Sequence, residues 1–217
     1  MEAQSEPGKC PLCLTEVSQT IEGSRASLYF FCEHCKLLSR PTSAHFNWNE
    51  ERLRYVRHNN HLPEEGYINF LKRLIEPMIP FIGKNWQGLD YGCGPNPVLA
   101  ELMGVKGLKV NPYDPIFFPR PINGKYDFIS STEAFEHFYY PRRELEKIAG
   151  ALSNGGILGI MTGFRKEQIP LKSWSYTRDD THVCLYHPKT FDFICQEWGF
   201  SIEYFDDHSC IILKKKP

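Results

Sequence analysis

The chain has 217 residues, 41% apolar and 24% charged, which is the composition of an ordinary globular protein rather than a disordered one. Its 25 Lys and Arg against 26 Asp and Glu give a formal net charge of -1, and this argues against a protein that coats nucleic acid or an anionic membrane. The balance is local as well: up to Ala44, Lys9, Arg25, Lys36 and Arg40 oppose Glu2, Glu6, Glu16, Glu22 and Glu33. The length suits one full core with a small module beside it. No apolar run approaches the roughly 18 residues of a membrane span, and MEAQSEPGK has no hydrophobic signal core, so a cytoplasmic protein is expected.

Eight cysteines are unevenly placed. Cys10, Cys13, Cys32 and Cys35 crowd the front, whereas Cys93, Cys184, Cys195 and Cys210 are scattered. In a reducing compartment the front four read as metal ligands. CPLC, 18 intervening residues and CEHC form two C-x-x-C turns, each presenting two thiolates, and two facing turns complete a tetrahedral site. The β-prone run SLYFF (27–31) enters the second turn, as in a zinc ribbon. A segment of roughly 40 residues buries too little to hold itself together, which makes the metal its main expected folding energy. Four thiolates leave no open coordination position, so the expected zinc is structural; an iron centre or four reduced cysteines are the other readings. His34, inside the second turn, reads as a solvent-facing loop residue.

Behind a polar stretch at 41–49, Tyr67, Phe70, Leu71, Leu74 and Ile75 fall at helical spacing. They predict a helix from near Glu64, bent or ended by Pro77 and Pro80. GLDYGCGPNPVLAELMGVKGLKVNPYD then reads as a strand, a glycine turn, an apolar helix and a second strand ending at Asp114. A third strand is expected at 126–130, followed by a helix with Leu145, Ile148, Ala149 and Leu152 on one face, closed by Asn154-Gly155-Gly156. The apolar run at 157–161 suits a buried parallel strand. After a long polar and aromatic segment come a helix bearing Phe191, Ile194, Cys195 and Trp198, and a terminal antiparallel hairpin. The order predicts an α/β sandwich with a mainly parallel sheet.

Ligands of open α/β sheets bind beyond the carboxyl ends of the strands. There the first strand ends in Asp90-Tyr91-Gly92-Cys93-Gly94-Pro95-Asn96, and Asp114 follows Gly94 by 20 residues. The glycines let a ligand lie against the backbone, and a carboxylate at the second strand can accept both hydroxyls of a ribose.

LDYGCGPNP, Asp114, YDFISSTEAFEHF and LSNGGILGIMTG together resemble the successive motifs of class I S-adenosylmethionine-dependent methyltransferases. The resemblance spans roughly Glu64 to Leu213 and is greatest to the small-molecule members, including quinone-biosynthesis O-methyltransferases. It implies a Rossmann-like methyltransferase sandwich with a C-terminal antiparallel hairpin, preceded by the zinc ribbon. It divides the chain into a ribbon (1–42), a linker that caps the cofactor (43–63) and a methyltransferase domain (64–217). By the same resemblance Asp90, Gly92 and Gly94, with Cys93 in the turn, surround the methionine moiety of S-adenosylmethionine; Asp114 takes the ribose and 115–118 the adenine, with Pro115 and Phe117 against it. The family's third glycine is Asn96 here, a residue that tolerates left-handed backbone. The stretch 116–125 is too short for the family's next helix and strand, so the sheet is expected to lack that edge strand.

Glu133, Glu136 and His137 fall at i, i+3 and i+4 on one helical turn. His137 can act as a general base, or the three can hold a divalent cation. In the plainer reading Glu133 bonds the cofactor's ammonium or a loop amide, Glu136 is solvated and His137 is packed. In the segment 163–188, Trp174 and Tyr176 are expected to wall the acceptor pocket and Arg178 or His182 to orient or deprotonate the acceptor, although Arg178 can also simply pair with Asp179 or Asp180. His58, within RHNN, is expected over the cofactor beside Tyr67, a solvated hinge being the competing reading. The expected activity is methyl transfer to a small molecule, with nucleic acid disfavoured by the neutral charge. Ribbon-guided RNA or protein methylation and a non-catalytic cofactor-binding module are the alternatives.

Overall fold

The structure, a computed structural model, describes residues 8–57 and 65–217. The chain opens with β1 (Gly8–Lys9) paired to β2 (Glu16–Val17), then β3 (Thr20–Glu22), β4 (Leu28–Phe31) and β5 (Leu38–Ser39) in antiparallel succession. Two helices follow, α1 (Trp48–Arg57) and α2 (Glu65–Met78). The alternating part comprises β6 (Gln87–Tyr91), α3 (Val98–Val105), β7 (Lys109–Tyr113), β8 (Tyr126–Thr132), α4 (Pro141–Ala151) and β9 (Leu152–Met161). β10 (Cys184–Leu185), α5 (Pro188–Trp198), β11 (Phe200–Phe205) and β12 (Cys210–Lys215) complete it.

The large sheet runs β11-β12-β9-β8-β6-β7, with β7, β6, β8 and β9 parallel and the terminal hairpin antiparallel. β7 is its edge, and beyond it Asp114 only bridges to Phe118. That is the reduction expected from the short stretch after Asp114. Apolar residues cover both faces, as a parallel sheet requires. Phe128, Ile157 and Ile212 pack under α2 and α3, whereas Ile129, Leu158 and Ile211 pack under α4 and α5. A Cβ on Gly159 would lie 2.5 Å from Met78 Sδ, so the glycine lets the Met78 side chain of α2 rest directly on the strand. No described helix is long and apolar enough to cross a membrane.

Three elements depart from the sequence pattern. The helix expected to close at Asn154-Gly155-Gly156 ends at Ala151, and those residues lie within β9, where left-handed Gly155 (φ 76°) accompanies a register break in the pairing with β8. The polar stretch before α2 contains α1, started by a capping box: Asn47 Oδ1 accepts from the Asn49 and Glu50 amides at 3.1 Å, and Glu50 Oε2 from the Asn47 amide at 3.0 Å. The front segment is also not held by a metal alone. β5 pairs with β10, and Cys10, Leu12, Cys32, Cys35 and Leu37 share one buried cluster with Leu145, Ile148 and Phe191.

Candidate active site

A cleft of about 350 Å³ opens beyond the carboxyl ends of β6, β7 and β8, within the usual size of a small-ligand site. Its floor is the turn after β6. Gly92 and Gly94 adopt φ of 80° and 65°, and a Cβ on Gly92 would lie 2.6 Å from Ala134 Cβ. The Gly92 and Cys93 amides donate to the Tyr113 carbonyl, which ties the turn to β7. Asn96 is exposed, is not among the positive-φ residues and does not line the cleft, so the left-handed backbone anticipated there is not used.

Asp114 is nearly buried and accepts three backbone bonds: Gly94 N on Oδ2 at 3.1 Å, and Ile116 N and Phe117 N on Oδ1 at 2.8 and 3.0 Å. One carboxylate thus shapes both the glycine turn and the loop that lines the cleft with Pro115 and Phe117. Lone-pair capacity remains on Oδ2 for a ligand hydroxyl. Tyr67, Cys93 and Glu133 also line the cleft. Thr132 Oγ1, at its wall, is buried with no hydrogen-bond partner among the described residues, and a buried hydroxyl in that position is suited to a ligand's polar group.

Glu133 follows β8 in a left-handed conformation (φ 47°), an uncommon state for a non-glycine residue and one that clusters at functional sites. Burial, with Glu136 beside it, pushes its carboxyl up to about 8. Asp90 lies under the turn, fully buried, with Ser130 Oγ donating to it at 3.4 Å, and burial lifts its carboxyl to about 7. The folded protein therefore keeps a proton that the unfolded chain releases between about pH 4 and 7, and stability falls as pH rises through that window. Asp90→Asn should raise the melting temperature more at about pH 8 than at about pH 4.5. An equal shift at both would contradict a raised carboxyl.

Glu136 is not solvated. It is fully buried behind the cleft, accepting from Thr162 Oγ1 at 2.8 Å and from the Tyr176 hydroxyl. His137 lines the cleft, and its Nδ1–H donates to the Thr181 carbonyl at 3.0 Å. His182 stands behind it, ring centroids 4.9 Å apart, with Nδ1–H donating to the Tyr176 carbonyl at 2.7 Å; burial lowers its basicity. Trp174 and Tyr176, expected to wall the pocket, and Arg178, expected to orient or deprotonate the acceptor, do not line it. Trp174 stacks on Tyr176 beside the cluster of Tyr29 and Leu38, Tyr176 turns its hydroxyl to Glu136, and Arg178 is exposed with its carbonyl bonded by Arg25. Asp179 and Thr181 of the same segment reach the cleft instead. His58 lies outside the described residues.

Helix α1 supplies side chains that the sequence pattern did not single out: Glu51, Arg54 and Tyr55 line the cleft. Tyr55 OH donates to Glu51 Oε1 at 3.2 Å, and its ring meets His137 edge-on at 5.5 Å. Arg54 lies 4.0 Å over Phe46 and 4.0 Å from Asp180 Oδ2. The capping box at Asn47 was the available signal for this helix. Phe70 also lines the cleft, its ring stacked on Tyr67 at 6.3 Å.

At the front, one sulfur from each of the four cysteines lies within 4.8 Å of the others, with Cys10 and Cys35 at 3.5 Å and Cys13 and Cys32 at 3.3 Å. Tetrahedral zinc with bonds of about 2.3 Å needs sulfurs about 3.8 Å apart. The bond from the Cys35 thiol lowers the Cys10 pKa to about 6, while the same bond raises that of Cys35 and burial raises that of Cys32 to about 11. The four side chains fit a zinc ion.

This sheet order, with a cleft beyond the strand ends and an acid at the end of the second strand, is that of the class I S-adenosylmethionine-dependent methyltransferase fold. The profile of the methyltransferase-domain family matches residues 56–204, most of the chain, and the chain belongs to that family. No curated protein matches it significantly in sequence. Among solved structures, a SAM-dependent methyltransferase from Archaeoglobus fulgidus is similar at 18% identity and a TM-score of 0.51, over 69% of this chain and 99% of that one. Phosphoethanolamine N-methyltransferase 2 of Haemonchus contortus is similar at 14% identity and 0.51, over 78% and 57%. So is a Haloferax volcanii complex of the Trm112 methyltransferase activator with a methyltransferase, at 12% identity and 0.51, over 70% and 93%. At these identities the likeness shows the fold.

Proposed function

We propose that the enzyme methylates a small, anionic or planar molecule, and that the four-cysteine ribbon holds a structural zinc. The observation that carries the small-molecule reading is the lining of the cleft: Glu51, Arg54 and Tyr55 of α1 share with the glycine turn a space of about 350 Å³, the scale of a small-ligand site. Bound S-adenosylmethionine supplies a sulfonium methyl, and the chain's part is to align it. Gly92 and Gly94 admit the methionine end of the donor, Asp114 accepts from the ribose, and Pro115 and Phe117 flank the adenine. Glu133 sits at the cationic end of the donor. His137 and Arg54 face the acceptor.

A macromolecular acceptor guided by the ribbon is less well supported. The β5 edge of the ribbon is taken up by β10, and a polymer substrate would call for an open basic track. Calorimetry with S-adenosylhomocysteine, then transfer of labelled methyl from S-adenosylmethionine to fractionated metabolites, RNA and protein, tests the reading; label confined to RNA or protein would refute it. Arg54→Ala should raise KM for an anionic acceptor roughly tenfold, as loss of one charge-assisted contact does, and leave S-adenosylhomocysteine binding in place. An unchanged KM would remove Arg54 from the acceptor site.

A further inference from the structure

At the acceptor end of the cleft, three side chains from distant stretches converge. Glu136 and His137 come from the turn after β8, and His182 from the segment before β10. One ligand atom of each lies within 4.8 Å of those of the other two. Glu133, the third member that sequence spacing suggested, is not part of this group; it lines the cleft beside the cofactor turn.

Both imidazoles are oriented in the manner of metal ligands. His137 and His182 each direct Nδ1 at a backbone carbonyl, at 3.0 and 2.7 Å. A carbonyl only accepts, so each neutral ring carries its lone pair on Nε2, and the same bonds fix the ring planes. The carboxylate is fixed as firmly. Glu136 is fully buried, and hydroxyls from Thr162 and Tyr176 hold its two oxygens, using one lone pair of each. Hydroxyl donors orient a buried carboxylate without cancelling its charge. Tyr176 serves two of the three ligands, through its hydroxyl to Glu136 and its carbonyl to His182.

We propose that Glu136, His137 and His182 bind a divalent transition-metal ion, separate from the zinc of the four cysteines. Two imidazoles and a carboxylate suit Zn²⁺, Fe²⁺ or Co²⁺ and leave coordination positions open. His137 lines the cleft, so those positions face the acceptor; this role rests on the methyltransferase reading above. For a hydroxyl acceptor, metal coordination lowers the pKa of the bound O–H and the proton passes to solvent water. The oxygen's electron pair then forms the new C–O bond as the methyl C–S bond breaks, and that bond's pair stays on sulfur as S-adenosylhomocysteine leaves.

Co²⁺ titrated into the zinc-loaded full-length protein tests the site. The expected result is one equivalent of Co²⁺ taken up beyond the zinc, with ligand-field absorption in the visible and no sulfur-to-cobalt charge-transfer band. In the double variant His137→Gln/His182→Gln that uptake should be lost while S-adenosylhomocysteine still binds. No uptake by wild type, uptake showing only the thiolate band, or equal uptake by the folded double variant overturns the metal site and leaves the methyltransferase reading standing. If the double variant does not fold, the wild-type stoichiometry and spectrum decide. Wild-type protein that takes up Co²⁺ as expected but binds no S-adenosylhomocysteine would instead overturn the acceptor role and the reading beneath it.

Discussion

Cys32→Ser combined with Cys35→Ser should give a protein that carries none of the ribbon zinc and melts lower by on the order of 10 °C or more, since structural zinc supplies several kcal/mol of folding energy. The loss should also reach the part of the cleft lined by Asp179 and Thr181. β5 pairs with β10, Tyr29 OH donates to the His182 carbonyl at 3.2 Å, and Arg40 Nη1 to the Asp180 carbonyl at 2.8 Å. The ribbon thus holds the segment that presents Asp179, Thr181 and His182. Hydrogen exchange should quicken at 177–185, and methyl transfer should fall by more than S-adenosylhomocysteine binding, because the cofactor turn is built from β6, β7 and β8. Unchanged zinc content, or unchanged protection of 177–185, would disprove the coupling.

Asp114→Ala should weaken S-adenosylhomocysteine binding by about 3 kcal/mol or more, beyond roughly 100-fold in Kd. Sequence reasoning alone assigned this carboxylate one task, the ribose. The fold adds a second to that expectation, because the Gly94, Ile116 and Phe117 amides all end on it. Removing it leaves those donors without their charged acceptor and loosens the turn and the adenine-side loop together. Asp114→Asn should restore only part of the loss, since its NH₂ would face either the Gly94 amide or a ribose hydroxyl. Calorimetry showing a Kd within threefold of wild type for Asp114→Ala would rule out both tasks.

The parts of the site that were legible in the sequence are those fixed by local spacing. Paired C-x-x-C turns, Gly92 and Gly94 after an apolar strand, and an acid at the next strand end all lie within short stretches whose backbone geometry they determine. Glu133 was expected on one helical turn with His137, but it precedes the turn of 135–137 in left-handed backbone, and both reach the cleft nonetheless. The partnership of Glu136 with Tyr176 and His182 was not legible, because it depends on how a long segment folds back across the end of the sheet. Trp174 illustrates the limit: its size marked it as a pocket wall, yet the ribbon offers it Tyr29 and Leu38 to pack beside, and burial there wins. Helix α1 was missed because its composition is polar and its packing face narrow; its capping box at Asn47 carried more information than its hydrophobic pattern.

The pairing of β5 with β10 also sets an order of events during synthesis. The ribbon precedes the sheet in the chain and holds all four cysteines within its own short span, so the four thiols can meet a metal ion while the sheet is still being translated. Its β5 edge stays open meanwhile, since Asp180, the partner of Arg40, lies 140 residues later. Contacts at such separation form late. The end of the cleft lined by Asp179 and Thr181 is therefore among the last parts of the molecule to be completed, and an unpaired strand edge is exposed to other nascent chains until it is.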